Sequence, residues 1–284
     1  SIIGITLGVA AIIIVMSVMN GFRSNLTERL IGVNSHLNLY SFNGTIKDDQ
    51  IELIKNKIDS KKNKNIFSSI ETQGLVISDN ISKGVLIRGY KEITPRHYLY
   101  NKIITKKKLS IDFNKIIIGD ALAKELNLKI GDQLKIAIPK TDKSILGNIP
   151  RFKTLKIDGI FDFGMYEYDS NLVFISLDLS RKLLLLNDNA FNRVEFYLND
   201  PLQVKDFKEL IDLKIKANFL NLYSLSWIER NSSLMNALKV EKNVMFLILT
   251  LIIIVASMNI ISGLIIFVKE KNKDIGILKT LGFN

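Results

Sequence analysis

Residues 1–22, SIIGITLGVAAIIIVMSVMNGF, and residues 243–268, NVMFLILTLIIIVASMNIISGLIIFV, contain no Asp, Glu, Lys or Arg. As a helix the first block spans about 33 Å, enough for a hydrocarbon core of about 30 Å, and the second is longer. A secretory signal has a shorter apolar core, and SVMNGFRSNL makes a poor cleavage site. A buried core helix is seldom apolar all round. The two blocks therefore read as membrane spans. Gly4 and Gly8 form a GxxxG pattern that suits close helix packing. Asn20 and Asn259 are costly in lipid and point to another helix or a cavity, with the membrane interface as the simpler place for Asn20.

Outward from these blocks the composition changes. The chain has 284 residues, 47% apolar and 24% charged, with a net charge of +11. Its Lys and Asn are concentrated between the two blocks. No Cys is present, which excludes disulfides, Cys-ligated zinc, Fe–S clusters and a thiol nucleophile. Two His leave little for a His-based metal site. The positive charge is dispersed, without an Arg-rich stripe or aromatic stacking motif, so nucleic acid is rejected as a partner.

Two spans place both chain ends on one side. A long middle segment crosses largely regardless of charge, whereas Lys269, Lys271, Lys273 and Lys279 lie just past the second span. A cytoplasmic tail and an extracytoplasmic middle follow.

The middle mixes helix and strand patterns. Residues 23–33 continue helical, with Leu26 and Leu30 on one face. HLNLYSF from His36 alternates like a strand, and residues 48–59, DDQIELIKNKID, read as a helix with acidic residues in its first turn. Strand patterns recur at 66–69, 74–78 and 85–90. Residues 115–139, KIIIGDALAKELNLKIGDQLKIAIP, read as strand, short helix from Asp120, turn at Gly131 and Asp132, and strand. Residues 140–150, KTDKSILGNIP, are an excursion between strands, hence a protruding hairpin or loop. Strand patterns resume over 152–163 and 171–175. Residues 193–224 read as strand, helix and strand, a βαβ unit with Pro201 near the helix start. The expected fold is membrane α-helical spans plus an α+β domain, with a β-rich subdomain of about 74–180 inserted in a split α/β module. The expected boundaries are a span at 1–22, a stalk helix at 23–33, the domain at 34–227, a stalk helix at 228–242, a span at 243–268 and a tail at 269–284.

Catalytic signatures are missing. There is no G-x-x-x-x-G-K-[ST], and residues 276–282, GILKTLG, lack its glycine spacing. There is no G-x-S-x-G and no H-E-x-x-H. His36 and His97 read as ordinary domain histidines. Asp162 and Glu167 in FDFGMYEYD offer a carboxylate pair, with a solvated loop as the simpler reading.

Several long strings carry a resemblance. They are SVMNGF at the exit of the first span, EKNKDIGILKTLG after the second, and LIRGY and IIIGDALAKELNLKIGDQLKIAIP between them. Over essentially the whole chain these resemble the membrane subunits of lipoprotein-releasing transporters, of the LolC/LolE type, within the MacB/FtsX-like ABC permease superfamily. The resemblance implies four spans, the third and fourth after the tail, so this chain is expected to be a piece of a longer protein. It implies a bacterial inner-membrane subunit with a MacB-like periplasmic domain, not itself an enzyme. It also implies a cytoplasmic ATPase that binds ATP and Mg, a second membrane subunit, a periplasmic lipoprotein carrier and lipoprotein cargo.

The resemblance assigns roles by position. The segment with Glu270, Lys271, Lys273, Asp274, Ile275 and Leu278 corresponds to a coupling helix on the ATPase, with a basic membrane-anchoring tail as the alternative. The excursion with Ser144, Ile145, Leu146 and Pro150, followed by Arg151 and Lys153, lies where the family has a carrier-binding hook. A mobile surface hairpin is the alternative there. Met16, Met19, Asn20 and Phe22 lie near the outer end of the first span, where acyl chains enter; plain lipid-facing packing is the alternative. No cofactor is expected on this chain. The rival functions are a MacB- or FtsX-like permease for export or cell-wall hydrolase activation and, from another class, a two-span sensor.

Overall fold

The computed structural model describes residues 2–57, 63–78, 81–94, 97–104, 111–144, 147–218 and 221–282. The chain divides into two compact units, 1–27 with 231–284, and 28–230.

The first unit is helical. Helix α1, Ile2–Val33, has 32 residues and α8, Ser232–Thr280, has 49. At 1.5 Å per residue they reach about 48 Å and about 74 Å, both longer than a hydrocarbon core of about 30 Å. Both are long and apolar enough to cross a membrane, and no residue of the most apolar stretch of either is buried by protein. Their polar groups are partly satisfied within the helix. Thr250 Oγ1 donates to the Phe246 carbonyl and Ser257 Oγ to the Ile253 carbonyl, each at 2.8 Å. That arrangement removes hydroxyl donors from a medium that cannot hydrogen-bond them. The expected tail helix is no separate element, since 269–280 continue α8 without a break.

The second unit is α+β. In chain order it contains β1 (Leu37–Ser41), β2 (Ile46–Lys47), α2 (Asp48–Lys57), β3 (Asn63–Ser78), β4 (Ile81–Tyr90) and β5 (Lys115–Gly119). Then come α3 (Asp120–Glu125), β6 (Gln133–Ser144), β7 (Gly147–Phe161), α4 (Tyr166–Asn171), β8 (Leu172–Ser176) and α5 (Leu177–Leu184). Last are β9 (Ala190–Phe191), β10 (Arg193–Leu198), α6 (Val204–Asn218), β11 (Leu222–Ser226) and α7 (Trp227–Arg230), with single 3₁₀ turns at Tyr100–Lys102 and Pro201–Gln203.

The strands run in the order β11-β1-β10-β3-β4-β8-β5-β7-β6, and β6 also pairs with β3. The last pairing, Leu75 to Ala137 through Ile77 to Lys135, closes six strands into a barrel. Strand β3 serves both parts. Its residues from Asn63 to Ser69 pair with β10, and those from Ile70 to Ser78 pair with β4. Gly74 sits where β3, β4 and β6 converge: a Cβ there would lie 2.6 Å from Ile87 Cδ1 and 2.8 Å from the Ala137 carbonyl oxygen. Only a residue without a side chain fits that approach.

In the other part, β10 and β11 both run antiparallel to β1. They are therefore parallel to each other with β1 between them, so the expected βαβ unit is split by the strand that follows α1. Helix α6 buries Val204, Phe207, Ile211 and Ile215, a 3-and-4 spacing that puts one stripe on the sheet. Asp200 caps the preceding turn by accepting from the Leu202 amide at 3.0 Å, with Pro201 next to it.

Four expectations need correction. The strand patterns at 66–69 and 74–78 form one strand, because Glu71 between them is buried by ion pairing and not by apolar character. Residues 177–184, given no structure from sequence, form α5, which Ser176 caps through the Leu179 amide at 3.3 Å. Residues 166–171 are a helix and not a loop. The helix expected from Ile228 breaks at Asn231, between α7 and α8.

Candidate functional site

Charged side chains are costly to bury unless paired. The second unit buries a cluster of them where its two parts meet. Strands present alternate residues to one face, so Arg193 and Glu195 on β10 point the same way. Glu71 comes from β3, Arg88 from β4 and Arg230 from α7. Glu71 receives all three guanidiniums: Arg88 Nε at 2.8 Å, Arg230 Nη2 at 3.2 Å, and Arg193 Nη1. Arg193 Nη2 also meets Glu195 at 3.1 Å.

The cluster reaches the end of α1. Arg88 donates through Nη1 to the Val33 carbonyl and through Nη2 to Asn34 Oδ1, each at 3.4 Å. Arg193 Nη2 donates to Ser35 Oγ at 3.4 Å. Glu195, fully buried, accepts from Ser69 Oγ, from the Tyr90 hydroxyl at 2.8 Å and from the Tyr197 hydroxyl at 3.0 Å. Burial alone would raise the Glu71 carboxyl. Arg193, Arg88 and Arg230 together outweigh it and hold the group well below the usual carboxylate range. Glu195 is likewise lowered, against burial, by Arg193 and Arg88. The cluster's ion pairs and hydrogen bonds tie the end of α1, β3, β4, β10 and α7 at one point.

An aromatic layer borders it. The His97 ring lies 4.4 Å from Tyr90, 4.5 Å from Tyr98 and 4.9 Å from Phe67. Its Nδ1 accepts from the Leu99 amide at 3.3 Å, and its buried Nε2 has no partner among the described residues. Burial pushes its pKa down to about 4, with Glu195 opposing. A second titrating group is Asp169 on α4. Burial raises it to about 6 against the amides of Phe163 and Met165, which donate to it at 2.8 and 3.1 Å; the neighbouring Asp162 adds to the rise. Asp162 thus pairs with Asp169 and not with Glu167. Arg29 of α1 donates to the carbonyl of Gly164 in the same loop.

The residues singled out from sequence lie elsewhere. Glu270, Lys271, Lys273, Asp274, Ile275 and Leu278 are all exposed on α8, with a Lys271–Asp274 ion pair at 3.6 Å. Met16, Asn20 and Phe22 are exposed on α1 and Met19 is half-buried. Asn259 is exposed, and a Cβ at Gly8 would meet nothing within 4 Å. Gly4 lies four residues earlier on the same helix. The excursion at 140–150 is a hairpin, paired out to Ser144 with Gly147. Its tip residues Ile145 and Leu146 lie outside the described residues. Pro150 is exposed. The two cations after it bind back onto the domain: Arg151 Nη1 donates to the Lys182 carbonyl at 2.9 Å, and Lys153 Nζ lies 5.1 Å over the Phe113 ring.

Sequence reasoning missed the buried cluster. Glu71, Arg88, Arg193 and Glu195 look like ordinary polar residues in strands, and Arg230 like one in a helix. One signal was present: Arg193 and Glu195 share a face in the otherwise apolar strand RVEFYL, where opposite charges are expected to pair. Among the described residues no group of His, Asp and Glu could hold a metal ion.

The family of MacB-like periplasmic core domains matches residues 1–213. The lipoprotein-releasing system transmembrane protein LolC of Neisseria meningitidis serogroup B is 30% identical over 294 residues, covering all of this chain and 68% of that protein. LolE of Haemophilus influenzae is 28% identical, covering all of this chain and 69% of its own length. The periplasmic region of MacB from Actinobacillus actinomycetemcomitans overlays with a TM-score of 0.43 at 12% identity, over 73% of this chain and 95% of that one. The chain spans about two thirds of the length of the curated relatives it matches. With two apolar helices flanking a MacB-like domain, the chain belongs to the LolC/LolE-type permeases of the MacB-like family.

Proposed function

We propose that this chain is a membrane subunit of an ABC transporter that releases lipoproteins from the bacterial inner membrane to a periplasmic carrier. The observation that carries the reading is the 30% identity to a LolC protein running through both apolar helices and the domain between them. The two His, the missing Cys and the missing P-loop agree with a subunit that does no chemistry itself. ATP and Mg then belong to a separate cytoplasmic ATPase, and a second membrane subunit, the same or homologous, completes the transporter.

The mechanism is mechanical. ATP binding on the partner moves the end of α8, where Ile275 and Leu278 offer apolar contact and Glu270, Lys271, Lys273 and Asp274 offer charge. The motion reaches the domain through helices α1 and α8. Acyl chains enter beside Met16, Met19, Asn20 and Phe22; Met suits varied apolar cargo because it repacks easily. The hairpin from Ser144 through Pro150 offers the carrier its docking point, with Arg151 and Lys153 at its base to meet an acidic rim.

The test is reconstitution of the protein with its ATPase and second subunit in proteoliposomes loaded with a lipoprotein. ATP-dependent appearance of lipoprotein on the soluble carrier is expected. An assembled complex that hydrolyses ATP and releases no lipoprotein would overturn the reading. The match to the MacB-like core domain then favours the second one, a MacB- or FtsX-like permease for export or hydrolase activation.

A further inference from the structure

Strand β3 outruns its neighbour β4. The Glu71 amide donates to Asn192 Oδ1 at 2.8 Å, and Asn192 Nδ2 donates to the Glu71 carbonyl at 2.7 Å. The Glu71 backbone therefore faces the β10 side. Successive residues in a strand turn their backbone groups to opposite edges. Ile70 then faces β4, where it pairs with Gly89. Ser68 and Ile66 face the same edge, but β4 ends at Tyr90, one residue past Gly89. Among the described residues no backbone hydrogen bond reaches the outward amide or carbonyl of either.

This bare edge opens into a cleft of about 980 Å³, lined by Ile66, Ser68, Tyr90 and Phe191 among others. Four carboxylates and two cations line the same cleft. Arg181 is already engaged by Asp178 at 3.4 Å and by the Ala190 carbonyl at 3.2 Å. Asp48, Glu92 and Asp188 have no ion pair among the described residues. An acidic cleft is unexpected on a chain of net charge +11.

We infer that the cleft binds an extended, Lys- or Arg-bearing segment of the transported polypeptide as an added strand along Ile66 and Ser68, in line with β4. Strand addition reads main-chain groups and tolerates many sequences, while the flanking carboxylates select positive charge. An unpaired edge that is recessed in a cleft is also shielded from edge-to-edge aggregation. That the peptide belongs to cargo rests on the transport role proposed above. The peptide site itself does not.

The test uses the membrane-inserted protein in phosphatidylcholine nanodiscs and a fluorescent heptapeptide of alternating Lys and Val, read by anisotropy against empty nanodiscs. Saturable binding is expected. The same peptide N-methylated at alternate amides, and its Glu-for-Lys analogue, should each bind roughly tenfold or more weakly, the scale of one or two lost charge-assisted or main-chain hydrogen bonds. Ser68→Pro removes the outward amide while leaving the donors of the β10 ladder in place, and the double variant Glu92→Lys with Asp188→Lys reverses the selecting charge; both should lose affinity on the same scale. Absence of saturable binding, equal binding of the N-methylated peptide, or unchanged affinity in the charge-reversal variant would overturn the inference. The N-methylation arm leaves the protein untouched, so it decides even if Ser68→Pro does not fold. Peptide binding by a protein that releases no lipoprotein would overturn the transport reading and leave the cleft assigned.

Discussion

Glu71 meets three guanidiniums, and that count fixes what its loss should do. Glu71→Ala leaves Arg88 and Arg193 buried with only Glu195 to balance them. Removing one partner of a buried pair costs about 3–5 kcal/mol, so the variant should unfold well below the parent in thermal or urea melts. Arg230→Gln, at the half-buried rim, should cost less. Near-parental stability in Glu71→Ala would contradict the reading of the cluster as a tie point. His97 supplies a pH dependence. Its pKa falls from an unperturbed 6.5 to about 4 on folding. The unfolded chain then binds more protons between those values, so this contribution is full above 6.5 and is lost as pH falls toward 4. Asp169 has the opposite sign: raised from 3.8 to about 6, it favours folding at low pH and loses that contribution as pH rises through 6. Stability against pH in His97→Phe should therefore show a shallower fall between pH 6.5 and 4 than the parent. An unchanged slope would assign the acid sensitivity to other groups. At this scale little was legible in the sequence. Glu71, Arg88 and Arg193 look like solvated strand residues until the third dimension brings them from β3, β4 and β10 to one point.

Elements were more legible where one face is wet. Helix α6 and strands β6 and β7 follow from their periodicity, since polar residues mark the outer face, whereas β5 reads only as a short apolar run between turns. Strand β3 was not, because a buried Glu and a required Gly74 interrupt its pattern. Helix α5 was missed although its pattern is amphipathic: Leu177, Leu179, Leu183 and Leu184 are buried while Asp178 and Lys182 are exposed, and eight residues make only about two turns in which to see it. Two backbone approaches make strong tests of the packing. A Cβ on Gly119 would lie 2.0 Å from the Asp169 carbonyl oxygen, and one on Gly89 would lie 2.0 Å from Ser180 Oγ. The first contact is backbone and has no rotamer to escape into. Gly119→Ala should cost about 3 kcal/mol or more, and Gly89→Ala less when paired with Ser180→Gly. Helix α8 makes the functional test at this scale. Asp274→Ala and Leu278→Ala leave the helix intact and should lower partner ATPase stimulation about fivefold or more, the effect of losing a contact worth about 1 kcal/mol. Normal assembly and turnover in both variants would count against the coupling role.

For the whole molecule, the sequence declared the architecture through two uncharged blocks and the mixed pattern between them. The barrel closure was out of reach, because the β3–β6 pairing joins segments with no periodic signal of their partnership. The proposed role requires one chain to engage an ATPase at one end and a carrier at the other. The absence of native Cys makes that directly measurable. Single Cys residues placed at Ser144 and at Asp274 in the complete protein should crosslink in native membranes to the periplasmic carrier and to the ATPase respectively. Those two adducts, each confined to its own position, are the expected result. Carrier adducts from 274, ATPase adducts from 144, or no adduct at either position in an assembled transporter would contradict the account.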